Sequence, residues 1–218
     1  LSPENTLSAF KNCIGRNIKH LECDVQITKD GVPVIIHDLT IDRTSNGTGN
    51  VKDLTHAELN AFDFGSHFSS AYENERIPTF DEFCKLAVEN DCIIYPEIKG
   101  YRTQADINLI LNVVIKYGLL NKCVFQGFNR GDLIYLNGLN GSATLGYLSS
   151  SLINKNDMLP NSYALIAYSS LKGQKDYIDE LHTNGFKIGV WTVDTYIAYE
   201  EMLNLGVDGI ISNYNLSK

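Results

Sequence analysis

The feature that most constrains this chain is the rhythm of its second half. From Cys92 onward, short apolar segments alternate with amphipathic ones. The apolar runs at 92–99, 122–128, 143–149, 163–169, 187–193 and 207–212 read as strands. Helical patterns lie between them, clearest at 104–117, 174–183 and 195–205. Gly118, Gly185 and Gly206 follow those helices closely, where a left-handed C-terminal cap is wanted. Strands alternating with helices at this pitch predict βαβ units and a parallel sheet.

The first third adds a strand at 20–27, preceded by a predicted helix at 4–16 with Ser2 as N-cap and Pro3 in its first turn. That makes seven strands and a chain that opens on a helix. A (β/α)8 barrel needs eight strands closed on themselves. The expectation is therefore a single α/β domain over residues 1–218, a TIM barrel whose first strand lies just before Leu1. The rival is an open, doubly wound sheet of seven strands. Residues 38–78 break the rhythm with the turn signals Asn46-Gly47 and Gly49-Asn50 and a short helix signal at 55–62. They read as a small inserted subdomain over the barrel mouth, with Phe64, Phe68 and Tyr72 packed as a core of its own.

Composition narrows the partners. The net charge is -8, with no basic run, so the bulk field repels polyanions and nucleic acid is excluded as a partner. An anionic substrate must be held by local cations or a metal instead. No run approaches eighteen consecutive apolar residues, so no transmembrane segment is expected. The five cysteines are odd in number, scattered and without a CxxC pair, which predicts buried thiols, a reducing compartment and a cytoplasmic location. Nothing in the sequence fixes the oligomeric state.

Charges occur where a barrel strand should be apolar. In Leu21-Glu22-Cys23-Asp24-Val25 the apolar residues share one parity and the acids the other, so Glu22 and Asp24 are predicted to point inward. Glu97 and Lys99 share a face of the next barrel strand. Three inward carboxylates are prohibitively costly unpaired, and one divalent cation relieves that cost. Carboxylate oxygens without His or Cys favour Mg2+ or Ca2+ over zinc.

Thr28-Lys29-Asp30-Gly31 is a hairpin signal between two extended runs, and folding back about it returns His37 beside Asp24. A histidine there is placed for proton transfer near neutral pH. His20, His56, His67 and His182 are read as structural or surface residues. Phe128 and Trp191 fall near strand C-terminal ends, where barrel sites form, and are candidates for contacting substrate or for simple core packing.

The residues together resemble the glycerophosphodiester phosphodiesterase family. The likeness runs through Pro3-Glu4-Asn5-Thr6, Glu22-Cys23-Asp24-Val25-Gln26, Lys29-Asp30-Gly31-Val32-Pro33-Val34, His37-Asp38, Asp42-Arg43-Thr44 with Asn46-Gly47-Thr48-Gly49, Ile77-Pro78-Thr79, Glu97-Ile98-Lys99 and Val190-Trp191-Thr192-Val193. The resemblance implies a TIM barrel with an insertion after its second strand. It also implies metal-dependent hydrolysis of small glycerophosphodiesters, such as glycerophosphocholine or glycerophosphoethanolamine, to sn-glycerol 3-phosphate and an alcohol. That would give the protein a place in glycerol and lipid metabolism. On this resemblance Glu22, Asp24 and Glu97 match the metal ligands, His37 one of two catalytic histidines, and Lys99 a phosphate-stabilising lysine. The family's first strand ends in His-Arg-Gly, and its histidine and arginine are expected upstream of Leu1. The alternatives are a sphingomyelinase or phospholipase D-like enzyme, a barrel that binds phosphodiesters without turnover, and an unrelated metal-dependent barrel lyase.

Overall fold

The structure, a computed structural model, describes residues 1–216. Its contacts divide the chain into two compact units: residues 1–125 with 134–143, and residues 126–133 with the chain from 144 onward.

The first unit opens with α1 (Leu7–Gly15), β1 (His20–Ile27) and β2 (Pro33–Ile35). It continues through α2 (His56–Leu59), α3 (Phe80–Glu89), β3 (Ile93–Gly100) and α4 (Ile107–Lys116). The helix predicted at 4–16 begins later, because Asn5 adopts a left-handed backbone (φ 54°) and Thr6, not Ser2, caps the helix by accepting from the Ala9 N–H. Residues 4 and 5 are thereby freed for work outside the helix.

β1 pairs in parallel with β3, Asp24 standing opposite Glu97. Its apolar parity is buried as expected, with Leu21, Cys23, Val25 and Ile27 all at 3% exposure or less. The hairpin also forms: β1 pairs antiparallel with β2 in the register Val25–Ile35, Gln26–Val34, Ile27–Pro33. The turn is closed by the Thr28 N–H donating to the Val32 carbonyl, and Gly31 supplies the positive φ of 84° that it requires. One step beyond β2, the Ile36 N–H donates to the Asp24 carbonyl at 2.9 Å, which delivers His37 to the neighbourhood of Asp24.

α3 follows Thr79, which forms a reciprocal capping box with Glu82. It buries Phe80, Phe83, Cys84 and Ala87, and Phe83 meets Phe10 of α1 with ring centroids 4.5 Å apart. Fully burying side chains of this size contributes roughly 1.5–3 kcal/mol each.

Between residues 38 and 78, α2 is capped by the Thr55–Glu58 box. Ile41, Val51, Leu59, Phe64 and Ile77 form one buried cluster with Val34 and Ile36, so this stretch packs on the outgoing hairpin strand. The three aromatics do not share a core. Phe64 is buried, whereas Phe68 is exposed and sits edge-on to Tyr72, whose hydroxyl is within hydrogen-bond distance of Ser2 Oγ. Phe68 does not belong to the buried cluster that holds Phe64.

β4 (Val124–Gly127) and α5 (Arg130–Leu139) have residues in both units. The second unit then runs β5 (Thr144–Ser149), β6 (Tyr163–Ala167), α6 (Tyr168–Leu171), α7 (Lys175–Thr183), β7 (Lys187–Trp191), α8 (Tyr196–Leu205) and β8 (Gly209–Ile210). β5 through β8 pair in parallel in chain order. The strand predicted to reach residue 169 stops at Ala167, because Tyr168 and Ser169 begin α6. Gly118, Gly185 and Gly206 all have positive φ, and Gly206 is the left-handed C-cap of α8. Among the described residues, no helix is long and apolar enough to cross a membrane. All five cysteines are free thiols, four buried and Cys13 half-buried.

Candidate active site

Within the first unit, one carboxylate oxygen each of Glu22, Asp24 and Glu97 lies within 4.8 Å of the others. The strand alternation puts Glu22 and Asp24 on one face of β1, and the parallel register brings Glu97 level with Asp24. Asp24 and Glu97 are buried. Lys99 enters the same cluster, its Nζ 3.1 Å from Asp24 Oδ1 and 3.6 Å from Glu97 Oε1. Burial pushes the Glu97 carboxyl up to about 7; the Lys99 ammonium opposes that rise and the Asp24 carboxylate adds to it.

The donor set fits a hard divalent cation. It offers only carboxylate oxygens, close enough to share one ion, and burial together with the Asp24 charge already raises Glu97. Among the described residues this is the one group of three or more potential ligands so arranged.

Asp24 is further held by Asn5. The Asn5 amide donates to Asp24 Oδ2 at 2.8 Å, and the Asp24 N–H donates back to Asn5 Oδ1 at 3.2 Å. Gln26, buried on the same face of β1, donates from Nε2 to the carbonyls of Ile36, His37 and Asp38. It therefore pins the returning arm of the hairpin to the strand that carries the acids.

His37 is half exposed, and its Nδ1 lies 2.7 Å from Asp38 Oδ1. Asp38 also accepts from Arg43, Nε to Oδ2 at 2.7 Å and Nη2 to Oδ1 at 3.0 Å. Arg43 in turn forks onto Glu4, Nη1 to Oε2 at 2.8 Å and Nη2 to Oε1 at 2.7 Å. Hydrogen bonds from Arg43 and His37 hold the Asp38 carboxyl well below the usual carboxylate range, and those from Arg43 also lower Glu4.

Phe128 and Trp191 belong to the second unit, where their rings meet edge-to-face at 5.5 Å and the Trp191 Nε1–H donates to the Leu165 carbonyl. Phe128 is 55% exposed, which sets it apart from a core aromatic. His20 bonds Tyr95, and His182 meets Asp208 at 2.8 Å, both on the surface. In the sequence Glu4, Asn5, Asp38 and Arg43 stand within the motifs that carry the family likeness, but none of them is given a role in the site. No local pattern singles out Asn5, which falls inside the helix predicted at 4–16; Arg43 and Glu4 are too far apart in sequence for any local pattern to join them.

The model of the family described as "Glycerophosphoryl diester phosphodiesterase family" matches residues 1–215. A glycerophosphodiester phosphodiesterase from Caldanaerobacter subterraneus subsp. tengcongensis is 35% identical, over 97% of this chain and 88% of its own length. Among solved structures, an Oleispira antarctica phosphodiesterase in complex with the product sn-glycerol-3-phosphate superposes with a TM-score of 0.86 at 24% identity, covering 98% of this chain and 88% of that one. A glycerophosphodiester phosphodiesterase from Agrobacterium tumefaciens gives 0.83 at 23% identity, covering 98% and 91%. These last two likenesses show a common fold.

Proposed function

This chain belongs to the glycerophosphoryl diester phosphodiesterase family, and from that premise we propose that it cleaves glycerophosphodiesters to sn-glycerol 3-phosphate and an alcohol on one divalent cation. The observation that carries the reading is the convergence of the Glu22, Asp24 and Glu97 oxygens within 4.8 Å, with Lys99 against them. Three negative charges would be balanced there by the Lys99 ammonium and one divalent ion, Mg2+ or Ca2+, held by Glu22, Asp24 and Glu97. The bound cation would supply Lewis-acid polarisation of the phosphoryl oxygens.

The chain's own residues do the rest. Asn5 fixes which way the Asp24 carboxylate faces. Lys99 supplies the local cation that a protein of net charge -8 must offer a phosphodiester, and it offsets negative charge as it builds at phosphorus. His37 transfers a proton to the departing alkoxide. The partner histidine and arginine expected from the family resemblance belong to this proposal as well. Phe128 and Trp191 are proposed to contact the substrate through apolar surface. Residues 38–78 are proposed as an insertion that limits the substrate to small, deacylated diesters. The strands are proposed to be those of a (β/α)8 barrel.

The test is turnover of glycerophosphocholine by the full-length protein, followed as sn-glycerol 3-phosphate and choline. Chelation is expected to abolish it and Mg2+ or Ca2+ to restore it. His37→Ala is expected to lower kcat by about 10²–10⁴-fold, with stability changed by no more than about 0.5 kcal/mol. Full turnover by metal-stripped protein would overturn the assignment of the three carboxylates.

A further inference from the structure

We infer that Glu4 and Arg43 are positioning residues, which act through Asp38 to fix the tautomer and orientation of His37. The inference deepens the proposed function and rests on its proton-transfer role for His37.

The geometry runs in one direction. Asp38 accepts from His37 on Oδ1 and from Arg43 on both oxygens. An ionised carboxylate has no proton to give, so the hydrogen in the short His37–Asp38 contact must sit on Nδ1. Nε2 is then the ring nitrogen that takes up a second proton, giving an imidazolium whose charge Asp38 offsets, and it is this proton that passes to the departing alkoxide. A carboxylate beside an imidazole can swing, and a swing would release the ring. Arg43 prevents this by gripping both oxygens of Asp38 in a planar fork.

Arg43 itself is held from the far side. Glu4 takes Nη1–H and Nη2–H in a second fork, so the guanidinium is clamped between two carboxylates. Its contacts use Nε, Nη1 and Nη2 together. An arginine so engaged is poorly disposed to bind the phosphate of a substrate. The four side chains are partly or half exposed, and exposed ion pairs add little to stability. Orientation is what the clamp adds.

The clamp also joins two parts of the site. Glu4 holds the histidine arm, and its chain neighbour Asn5 holds Asp24. The left-handed Asn5 backbone, which delays the start of α1, is what keeps both residues outside the helix. Residues 4 and 5 thus tie the proton-transfer group and a carboxylate of the acidic cluster to one point on the backbone.

The experiment compares Glu4→Gln, Arg43→Lys and Asp38→Asn with the unaltered full-length protein. The 15N chemical shifts of the His37 ring, read without substrate at a pH where the ring is neutral, are expected to report Nδ1–H in the unaltered protein and a tautomer mixture in the variants. Kinetics in saturating Mg2+ or Ca2+ are expected to show kcat for an alkyl glycerophosphodiester falling between about 10- and 100-fold, with KM little changed. A nitrophenyl analogue, whose leaving group departs without a proton, should be spared. Combining Arg43→Lys with His37→Ala should cost no more than His37→Ala alone. An Nε2–H tautomer in the unaltered protein, unchanged tautomers in all three variants, or a rise in KM with kcat intact would overturn the inference. If His37→Ala turns over the alkyl substrate normally, the proton-transfer reading falls separately, and the tautomer measurement still decides the positioning.

Discussion

Asn5 grips Asp24 at two points, its amide donating to Oδ2 and its carbonyl accepting the Asp24 N–H. The side-chain amide matches the carboxylate at one end and the strand backbone at the other, so one side chain ties both parts of Asp24. Its other oxygen, Oδ1, accepts from Lys99 Nζ at 3.1 Å.

Asn5→Gly should therefore loosen the acidic cluster without upsetting the chain around it. Glycine accepts the φ of 54° as readily as asparagine does. Residues that orient a metal ligand typically contribute 10–100-fold in affinity or activity, so the divalent-ion concentration needed for half-maximal turnover should rise by about that factor. Calorimetric titration of metal into the variant checks this. An unchanged affinity would mean that Asp24 needs no such restraint.

The raised Glu97 sets a pH dependence for protein freed of divalent ions. Its carboxyl in the folded state titrates at about 7, above the ordinary 4.5. Between these pH values the folded state binds more protons than the unfolded one, so stability should fall as pH rises across that window and level off above it. Glu97→Gln should flatten the slope, and saturating Mg2+ or Ca2+ should reverse it by favouring the ionised carboxylate. Denaturant titrations at several pH values, with and without chelator, measure both effects.

Much of this was legible because it follows from periodicity. The strand–helix alternation located seven strands, and the opposite parity of Leu21-Glu22-Cys23-Asp24-Val25 placed the acids together on one face. The hairpin signal fixed a register that no more than a turn geometry and two extended runs were needed to specify. The helix starts later than Ser2-Pro3-Glu4 suggests because local capping rules do not register the left-handed backbone of Asn5, whose side chain is bonded to Asp24 further along the chain. The Glu4–Arg43–Asp38 clamp was invisible for the same reason. Its members share no face of one element, and only the folded chain brings them into contact.

The buried cluster beneath the hairpin should support the site as well as the fold. Leu59 is fully buried beside Val34 and Ile36, which lead directly to His37. Leu59→Ala is expected to cost about 2–5 kcal/mol of stability. Because the cavity lies under the strand that carries the histidine arm, kcat should fall even at temperatures where the variant remains folded. Thermal melts paired with kinetics below the transition test this, and normal kcat in a destabilised variant would limit the cluster to scaffolding.

Gly100 offers the sharpest test of how the hairpin is held. It stands opposite Gln26 in the β1–β3 register, and a Cβ added there would meet Gln26 Oε1 at 2.6 Å and Cδ at 3.0 Å. A free glutamine would swing away at little cost. This one is 2% exposed, and its Nε2 holds three successive carbonyls, those of Ile36, His37 and Asp38. To make room, Gln26 must release that arm or β3 must move away from β1. Gly100→Ala is accordingly expected to lose about 1–3 kcal/mol, the usual cost of overpacking. It should also lower kcat, because the freed arm no longer delivers His37 at a fixed position. Pairing the change with Gln26→Ala separates the two causes. Stability should partly recover once the clash is removed, whereas kcat should stay low, since the three carbonyls have still lost their donor. Recovery of both together would mean that Gln26 fills space beside Gly100 and that the hairpin arm is held by its backbone pairing alone.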